Sequence, residues 1–192
     1  MRHPFFATLA LFAPVQITAS IDTAATDGKS LYFNPEFISG LTDSELDGLV
    51  THEVLHAALL HTTRRGTRTP QLWNIACDIV VNGMAREAGL ALPEGAVEYP
   101  PWAELSAEQI YHRLVKRKPR ELKKLVLVDL LEPGQGPDAE GESPLAGKRQ
   151  AEIEAHWKAA LQQAKVVASR QGGSGQGMGG AGMGLEWGAV TQ

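Results

Sequence analysis

The spacing of apolar and polar positions predicts a mostly helical chain with a small sheet near its start. Residues 4–12 form an apolar run that Pro14 ends, which is typical of a short helix. Residues 15–18 and 30–33 are rich in β-branched and aromatic side chains, and a turn-forming sequence occupies residues 26–29. We expect the two segments to be strands that pair as a small antiparallel sheet.

Helical spacing dominates after the sheet. One helix is expected from about residue 43 to about residue 63, and a second from about 71 to 88, where Gly89 is a stop signal. Two helix starts carry a capping box, in which a hydroxyl accepts from the amide three residues on and that residue's side chain reaches back. The two boxes are Thr42 with Glu45 and Ser106 with Gln109.

Composition divides the chain into one domain and three shorter segments. Residues 1–131 contain the periodic elements and form the predicted domain. Residues 132–148 are rich in proline, glycine and acid, which indicates a linker or long loop. Residues 149–170 are predicted to form a helix, and residues 171–192 a flexible glycine-rich tail. The expected fold class is α+β.

The bulk composition is that of a soluble globular protein: 43% of the 192 residues are apolar and 21% are charged. A net charge of −4 gives no reason to expect nucleic-acid or membrane binding. Cys77 is the single cysteine, which fits a reducing compartment. The apolar run at residues 5–15 imitates a signal peptide, but Pro14 interrupts it, and we interpret it as a buried helix. We therefore expect a cytoplasmic protein.

The first predicted long helix carries the sequence His52-Glu53-Val54-Leu55-His56. Histidines four apart lie about 40° apart around a helix, so both imidazoles can reach one metal ion and Glu53 can reach a water molecule on it. The three side chains share a helix face with leucines, while the opposite face is polar. The pattern favours a metal site in the interior or in a cleft, over a helix whose histidines bond to carbonyls.

A catalytic zinc ion needs a third protein ligand and leaves its fourth position to water. Asp78 is the preferred candidate, since Asn74, Asp78 and Asn82 form a polar stripe on the second helix. Asn74 and Asn82 would support the ligands or contact substrate. The alternative makes Asp78 a partner for an arginine, an amide or a histidine. His61 is the fallback ligand, but it projects about 140° from His56 and could bind only if the helix broke between them.

Several segments together resemble a known family, the bacterial putative-metallopeptidase domain often found ahead of a von Willebrand factor A-like domain. The match is close over residues 4–115. The residues that carry it are Thr26-Asp27-Gly28, Phe33-Asn34-Pro35, His52 to His56 with His61, Trp73 to Asp78 through Asn82, and Ser106 to Tyr111.

The resemblance implies a zincin-like fold, a zinc site at His52 and His56, and Glu53 as the catalytic acid and base. It also implies a cytoplasmic location and association with a MoxR-type AAA ATPase or a von Willebrand factor A-like protein. This sequence carries no A-like domain after Trp187. We therefore expect either a stand-alone version of the domain or a truncated one.

The leading functional hypothesis is a zinc-dependent peptidase that hydrolyses peptide or protein substrates through a metal-activated water. A second hypothesis is a non-catalytic zinc-stabilised module that recruits a partner such as an AAA ATPase. A third is a metallohydrolase with another substrate. Glu53 favours a catalytic role, because a structural zinc site needs no acid or base beside its ligands and is more often closed by four protein ligands.

Overall fold

The computed structural model describes residues 3–102, 104–117, 129–131 and 146–171. Helices predominate, and a small sheet lies near the start of the chain, so the α+β prediction is confirmed. The elements in chain order are α1 (Pro4–Ala10), β1 (Val15–Ile17), β2 (Ala24–Thr26), β3 (Leu31–Phe33), α2 (Pro35–Ser39), α3 (Asp43–Ala58), α4 (His61–Arg64), α5 (Pro70–Glu87), a 3₁₀ helix (Pro100–Trp102), α6 (Ala107–Val115) and α7 (Ala146–Gln171).

The sheet is mixed, with strand order β1-β3-β2. The predicted antiparallel pairing of residues 15–18 with residues 30–33 is wrong: β1 and β3 run parallel, with Val15 opposite Leu31. Thirteen residues, 18–30, separate the two strands, and a parallel crossover needs a dozen or more. Within that crossover lies β2, a strand that the sequence analysis did not identify, and it pairs antiparallel with β3.

A tight turn joins β2 to β3. The Oδ1 atom of Asp27 accepts from the backbone N–H groups of Lys29 and Ser30, at 2.9 and 2.8 Å. Gly28 has a φ of 88°, a conformation that favours glycine. The predicted turn at residues 26–29 is therefore present, but it makes a hairpin with β2 rather than with β1.

Helix α3 begins at the predicted capping box. Thr42 Oγ1 accepts from the backbone N–H of Glu45 at 3.3 Å, and Glu45 Oε2 accepts from the backbone N–H of Thr42 at 2.9 Å. The helix ends at Ala58 rather than near residue 63. It stops because Leu60 takes a left-handed conformation, with φ 59° and ψ 33°, after which α4 restarts at His61.

Helix α5 agrees with its predicted bounds to within one residue at each end, and Gly89 follows with a φ of 74°. It packs against α3 and α6. The capping box at Ser106 and Gln109 is also present, at the start of α6. The predicted pairing of a histidine-bearing helix with a second helix that carries a polar stripe is therefore a feature of the fold.

The first and last helices pack together. Phe5, Phe6 and Leu9 of α1 are buried, as predicted, and α7 packs against α1 and α3. Trp157 of α7 is fully buried, and its Nε1 donates to the carbonyl oxygen of Gly28 at 2.7 Å. The predicted helix at 149–170 is confirmed within α7.

Two further predicted segments are not covered by the structure. The linker at 132–148 and the tail at 171–192 lie almost wholly outside the described residues. Among the helices that are described, none is both long and apolar enough to cross a membrane.

Gly48 permits a close approach between α3 and the segment that follows α5. A Cβ atom at this position would overlap the carbonyl oxygen of Ala91. Gly48 lies one helical turn before His52, so the contact places residues 91–97 beside the histidines.

We predict that Gly48→Ala destabilises the protein by about 1–3 kcal/mol, because a backbone carbonyl must move to admit the methyl group. This loss outweighs the gain of up to about 1 kcal/mol in helix propensity. The matched control is Gly147→Ala in α7, where an added Cβ meets nothing within 4 Å, and it should be neutral or stabilising. Urea unfolding measures the free energy of unfolding of both variants. Equal changes in the two would contradict the close approach of Gly48 to the Ala91 carbonyl.

Candidate metal centre

Helix α3 places two imidazoles against each other inside the protein. The side chains of His52 and His56 point the same way, one helical turn apart, and their Nε2 atoms lie 3.0 Å apart. His56 is fully buried and His52 is 8% exposed. Two buried ring nitrogens at this distance need a shared proton or a shared cation between them.

Helix α5 brings Asp78 to the same point. Its Oδ1 atom lies 3.4 Å from His56 Nε2. The other oxygen, Oδ2, accepts from the side-chain amide of Asn74 at 3.1 Å. Oδ1 is buried and has no hydrogen-bond partner among the described residues. The structure thus brings together the three residues that the sequence analysis proposed as ligands.

A fourth donor, Asp129, was missed by the sequence analysis. Its Oδ2 atom lies 2.9 Å from His52 Nε2. Asn74 Oδ1 accepts from the backbone N–H groups of Asp129 and Leu130, at 3.3 and 3.1 Å. The available signal was the position of Asp129 within the apolar run at residues 125–131, because a charged side chain in such a run needs a partner when it is buried.

The four residues fit a divalent cation. One donor atom from each of His52, His56, Asp78 and Asp129 lies within 4.8 Å of the others. Ligands bound at 2.0–2.1 Å to one tetrahedral zinc ion are about 3.3 Å apart, and three of the separations here are 2.9, 3.0 and 3.4 Å. Asp78 Oδ1, which lies beside His56 Nε2, is buried without a hydrogen bond in the described structure, and a cation would satisfy it.

Asn82 fixes the orientation of the first histidine. Its Nδ2 donates to the carbonyl oxygen of Val97 at 2.8 Å, and because a carbonyl only accepts, Oδ1 must face His52. Oδ1 lies 2.7 Å from His52 Nδ1. His52 therefore carries a proton on Nδ1, and Nε2 faces the other donors. Asn82 thus links the His52 ring to the backbone after α5.

His61 lies behind the second histidine rather than among the donors. The break at Leu60 meets the condition set for His61 as a ligand, yet its Nδ1 contacts His56 Nδ1 at 3.1 Å. His56 Nε2 is the atom that faces His52 and Asp78. The carbonyl oxygen of His61 accepts from Trp73 Nε1 at 2.7 Å, which holds the residue in place. His61 can thus orient His56, but it is not one of the four clustered donors.

Burial sets the electrostatics of the histidines. Burial, with the neighbouring imidazoles of His52 and His61, lowers the pKa of His56 well below its usual value and keeps the ring neutral. Burial alone would also lower the pKa of His52. There the hydrogen bond with Asp129 and the charges of Asp129 and Asp78 outweigh burial, and the pKa is raised.

Burial and neighbouring negative charges raise the pKa values of two carboxyl groups in the cluster. Burial raises the pKa of Glu53 well above its usual value, and the charge of Asp129 adds to this. Burial and the charge of Asp129 likewise raise the pKa of Asp78. Three acids held this close in a dry interior repel one another, and a bound cation would reverse the effect.

The cluster opens into a cavity of about 250 Å³. Glu53 is 1% exposed and lines the cavity, and its Oε2 is buried with no hydrogen-bond partner among the residues described. The remaining wall is mainly apolar and includes Phe37, Leu49, Leu92 and Val97. The cavity therefore has an apolar wall and, next to each other, the Glu53 carboxyl group and side chains of the type that bind metal ions.

Comparison with known proteins identifies the family of the chain. A family model described as "Putative metallopeptidase domain" matches residues 1–183 of the 192. No curated protein and no solved structure gives a significant match. The family model covers nearly the whole chain and includes every donor in the cluster. The chain therefore belongs to the Putative metallopeptidase domain family.

Proposed function

We propose that this protein is a zinc-dependent peptidase with a zincin-like active site, in which His52, His56 and Asp78 hold the metal and Glu53 is the general base. The observation that carries the proposal is that His52, His56 and Asp78 converge beside a cavity that Glu53 lines. Membership in the metallopeptidase family supports it independently.

Zinc is the proposed ion because it accepts imidazole nitrogen and carboxylate oxygen together in tetrahedral sites. When bound, zinc lowers the pKa of a coordinated water molecule towards about 7 and polarises a carbonyl group. The protein's part is to turn the Nε2 atoms of both imidazoles towards the metal. Asn82 does this for His52 by accepting the proton on Nδ1, and His61 lies where it can accept the Nδ1 proton of His56.

Glu53 has the properties of a base at such a site. Its Oε2 atom faces no hydrogen-bond donor in the described structure, so it is available to a water molecule in the cavity. Burial raises its pKa, which makes the carboxylate a stronger proton acceptor than one on the surface. In the proposed reaction Glu53 takes a proton from the water that attacks the peptide carbonyl and delivers it to the leaving nitrogen.

The apolar wall of the cavity supports a peptide or protein substrate. Leu49, Leu92 and Val97 lie beside Glu53 and offer a surface for an apolar side chain next to the bond that is cut. A wall of this kind also keeps bulk water away from the reacting groups.

One observation favours a second candidate, a zinc-stabilised module that recruits a partner. Four protein donors converge in the cluster, and structural zinc sites are usually closed by four. The partner would be the one expected from the family resemblance, a MoxR-type AAA ATPase or a von Willebrand factor A-like protein in the cytoplasm. Glu53 is the argument for the enzyme, because its burial in the cavity has no evident structural purpose.

We predict that zinc stabilises the chain and that Asp78→Ala abolishes the effect. At a zinc concentration 100 times its dissociation constant the stabilisation should be about 2.7 kcal/mol. Thermal unfolding with zinc and with a chelator measures it, and Asp22→Ala, at an exposed aspartate, is the control. Unaltered zinc affinity in Asp78→Ala, with a loss in a His61 variant, would move the third ligand to His61.

We predict that Glu53→Gln retains stoichiometric zinc and loses peptidase activity by a factor of about 10² to 10⁴, the usual contribution of a general base. Metal analysis and cleavage of a mixed peptide library measure the two properties on the same sample. Glu87→Gln, at an exposed position near the end of α5, is the matched control and should keep full activity.

The outcomes of this experiment separate the two candidates. Zinc binding with no cleavage by the wild-type chain would favour the recruiting module. Equal activity in the wild type and Glu53→Gln would remove Glu53 from the mechanism. No zinc uptake by the wild-type chain would rule out both.

A further inference from the structure

The cluster contains one donor too many for an active enzyme. A catalytic zinc ion keeps a coordination position open for water, with three protein ligands. Here His52, His56, Asp78 and Asp129 each offer a donor atom within 4.8 Å of the others. If this site is catalytic, as proposed above, one of the four must leave before water can bind.

The two aspartates are held in very different ways. Asp78 lies in the middle of α5, an 18-residue helix, and Asn74 on the previous turn fixes its second oxygen. Its position is therefore set by the scaffold that also carries Asn82. Asp129 lies on an extended segment, and its nearest regular partner is the edge of a three-residue strand.

That segment is attached to β2 by an isolated bridge. The backbone N–H of Thr26 donates to the carbonyl oxygen of Asp129 at 2.9 Å, and the backbone N–H of Leu131 donates to the carbonyl oxygen of Thr26 at 3.0 Å. Because β3 occupies the other side of β2, residues 129–131 lie along the open edge of the sheet. Any extended peptide can make these backbone hydrogen bonds in place of the segment.

The same segment limits access to the cavity. Asp129 lines the cavity together with Thr23, which precedes β2, and Ala24, the first residue of β2. A peptide that replaced residues 129–131 on this edge would therefore run past Glu53. Its placement would also remove the carboxylate of Asp129 from His52.

We propose that Asp129 is a displaceable fourth donor, which closes the metal site until an extended peptide replaces residues 129–131 on the edge of β2. The inference rests on the proposed zinc site. It assigns the β2 edge as the peptide-binding edge, and it makes the closed form a latent state of the enzyme.

The test uses the full chain loaded with cobalt(II) in place of zinc, and acetohydroxamate as a small probe that needs an open coordination position. If the segment closes the site in nine molecules of ten, the apparent affinity of the probe is reduced about tenfold. Asp129→Ala should keep the metal and bind acetohydroxamate about ten times more tightly than the wild type. Asp78→Ala should lose the metal, and Asp22→Ala should match the wild type. Visible absorption of cobalt reports both metal content and probe binding.

A second variant keeps all four donors. Leu131→Pro removes the N–H that donates to Thr26, and the residue before it is already extended, which suits a following proline. Like Asp129→Ala, it should bind acetohydroxamate more tightly than the wild type does. This variant decides the question if Asp129→Ala fails to fold.

Other outcomes overturn the inference. Loss of metal from Asp129→Ala, as from Asp78→Ala, would make Asp129 a permanent ligand. Unchanged affinity for the probe in both Asp129→Ala and Leu131→Pro would show that the segment does not close the site. Tighter binding of the probe with no peptide cleavage by any variant would support Asp129 as a displaceable donor and overturn the peptidase, and with it the latent enzyme.

Discussion

The rest of the structure is arranged around a group of buried acids and imidazoles that lie close enough together to share a cation. His52, His56, Asp78 and Asp129 converge inside the protein, and Glu53 lies beside them with an unpaired oxygen. Burying charged groups without partners costs several kcal/mol for each ion. One divalent ion offsets the charge of two carboxylates and uses the free ring nitrogens of both histidines. This constraint explains why polar side chains occupy the interior faces of two long helices.

The fold meets the constraint with a small number of supporting contacts. Asn82 binds His52 on one side and the Val97 carbonyl on the other, so one amide holds both the segment after α5 and the His52 ring. Gly48 lets the earlier part of that segment approach α3. The left-handed conformation of Leu60 stores about 1–3 kcal/mol of backbone strain. This conformation ends α3, and it allows His61 to contact Nδ1 of His56, the ring nitrogen that faces away from the cluster.

The sequence could predict features that depend on residues close together along the chain, but not contacts between residues far apart in it. His52, Glu53, His56 and the stripe with Asp78 follow from helical periodicity, because each lies on a long helix with a local boundary signal: the capping box at the start of α3 and Gly89 after α5. Asp129 contacts His52 across 77 positions, and no local pattern carries that pairing. The direction of β1 against β3 also escaped prediction, since it depends on a crossover that contains a third strand. The end of α3 escaped for a related reason: leucine has no local preference for the left-handed conformation that Leu60 adopts in its tertiary setting.

The enzyme and the zinc-stabilised module differ in a single physical respect, which is the freedom of Asp129. A permanent fourth ligand would make Glu53 a buried acid with no task, and such a group is expensive to retain. A displaceable ligand makes the unpaired Glu53 oxygen and the apolar cavity wall parts of one substrate site. The way the two aspartates are held favours the second description, since a helix fixes Asp78 while backbone hydrogen bonds to the edge of β2 and to Asn74 hold the segment of Asp129. The same edge contacts would then serve both to keep the enzyme latent and to receive its substrate.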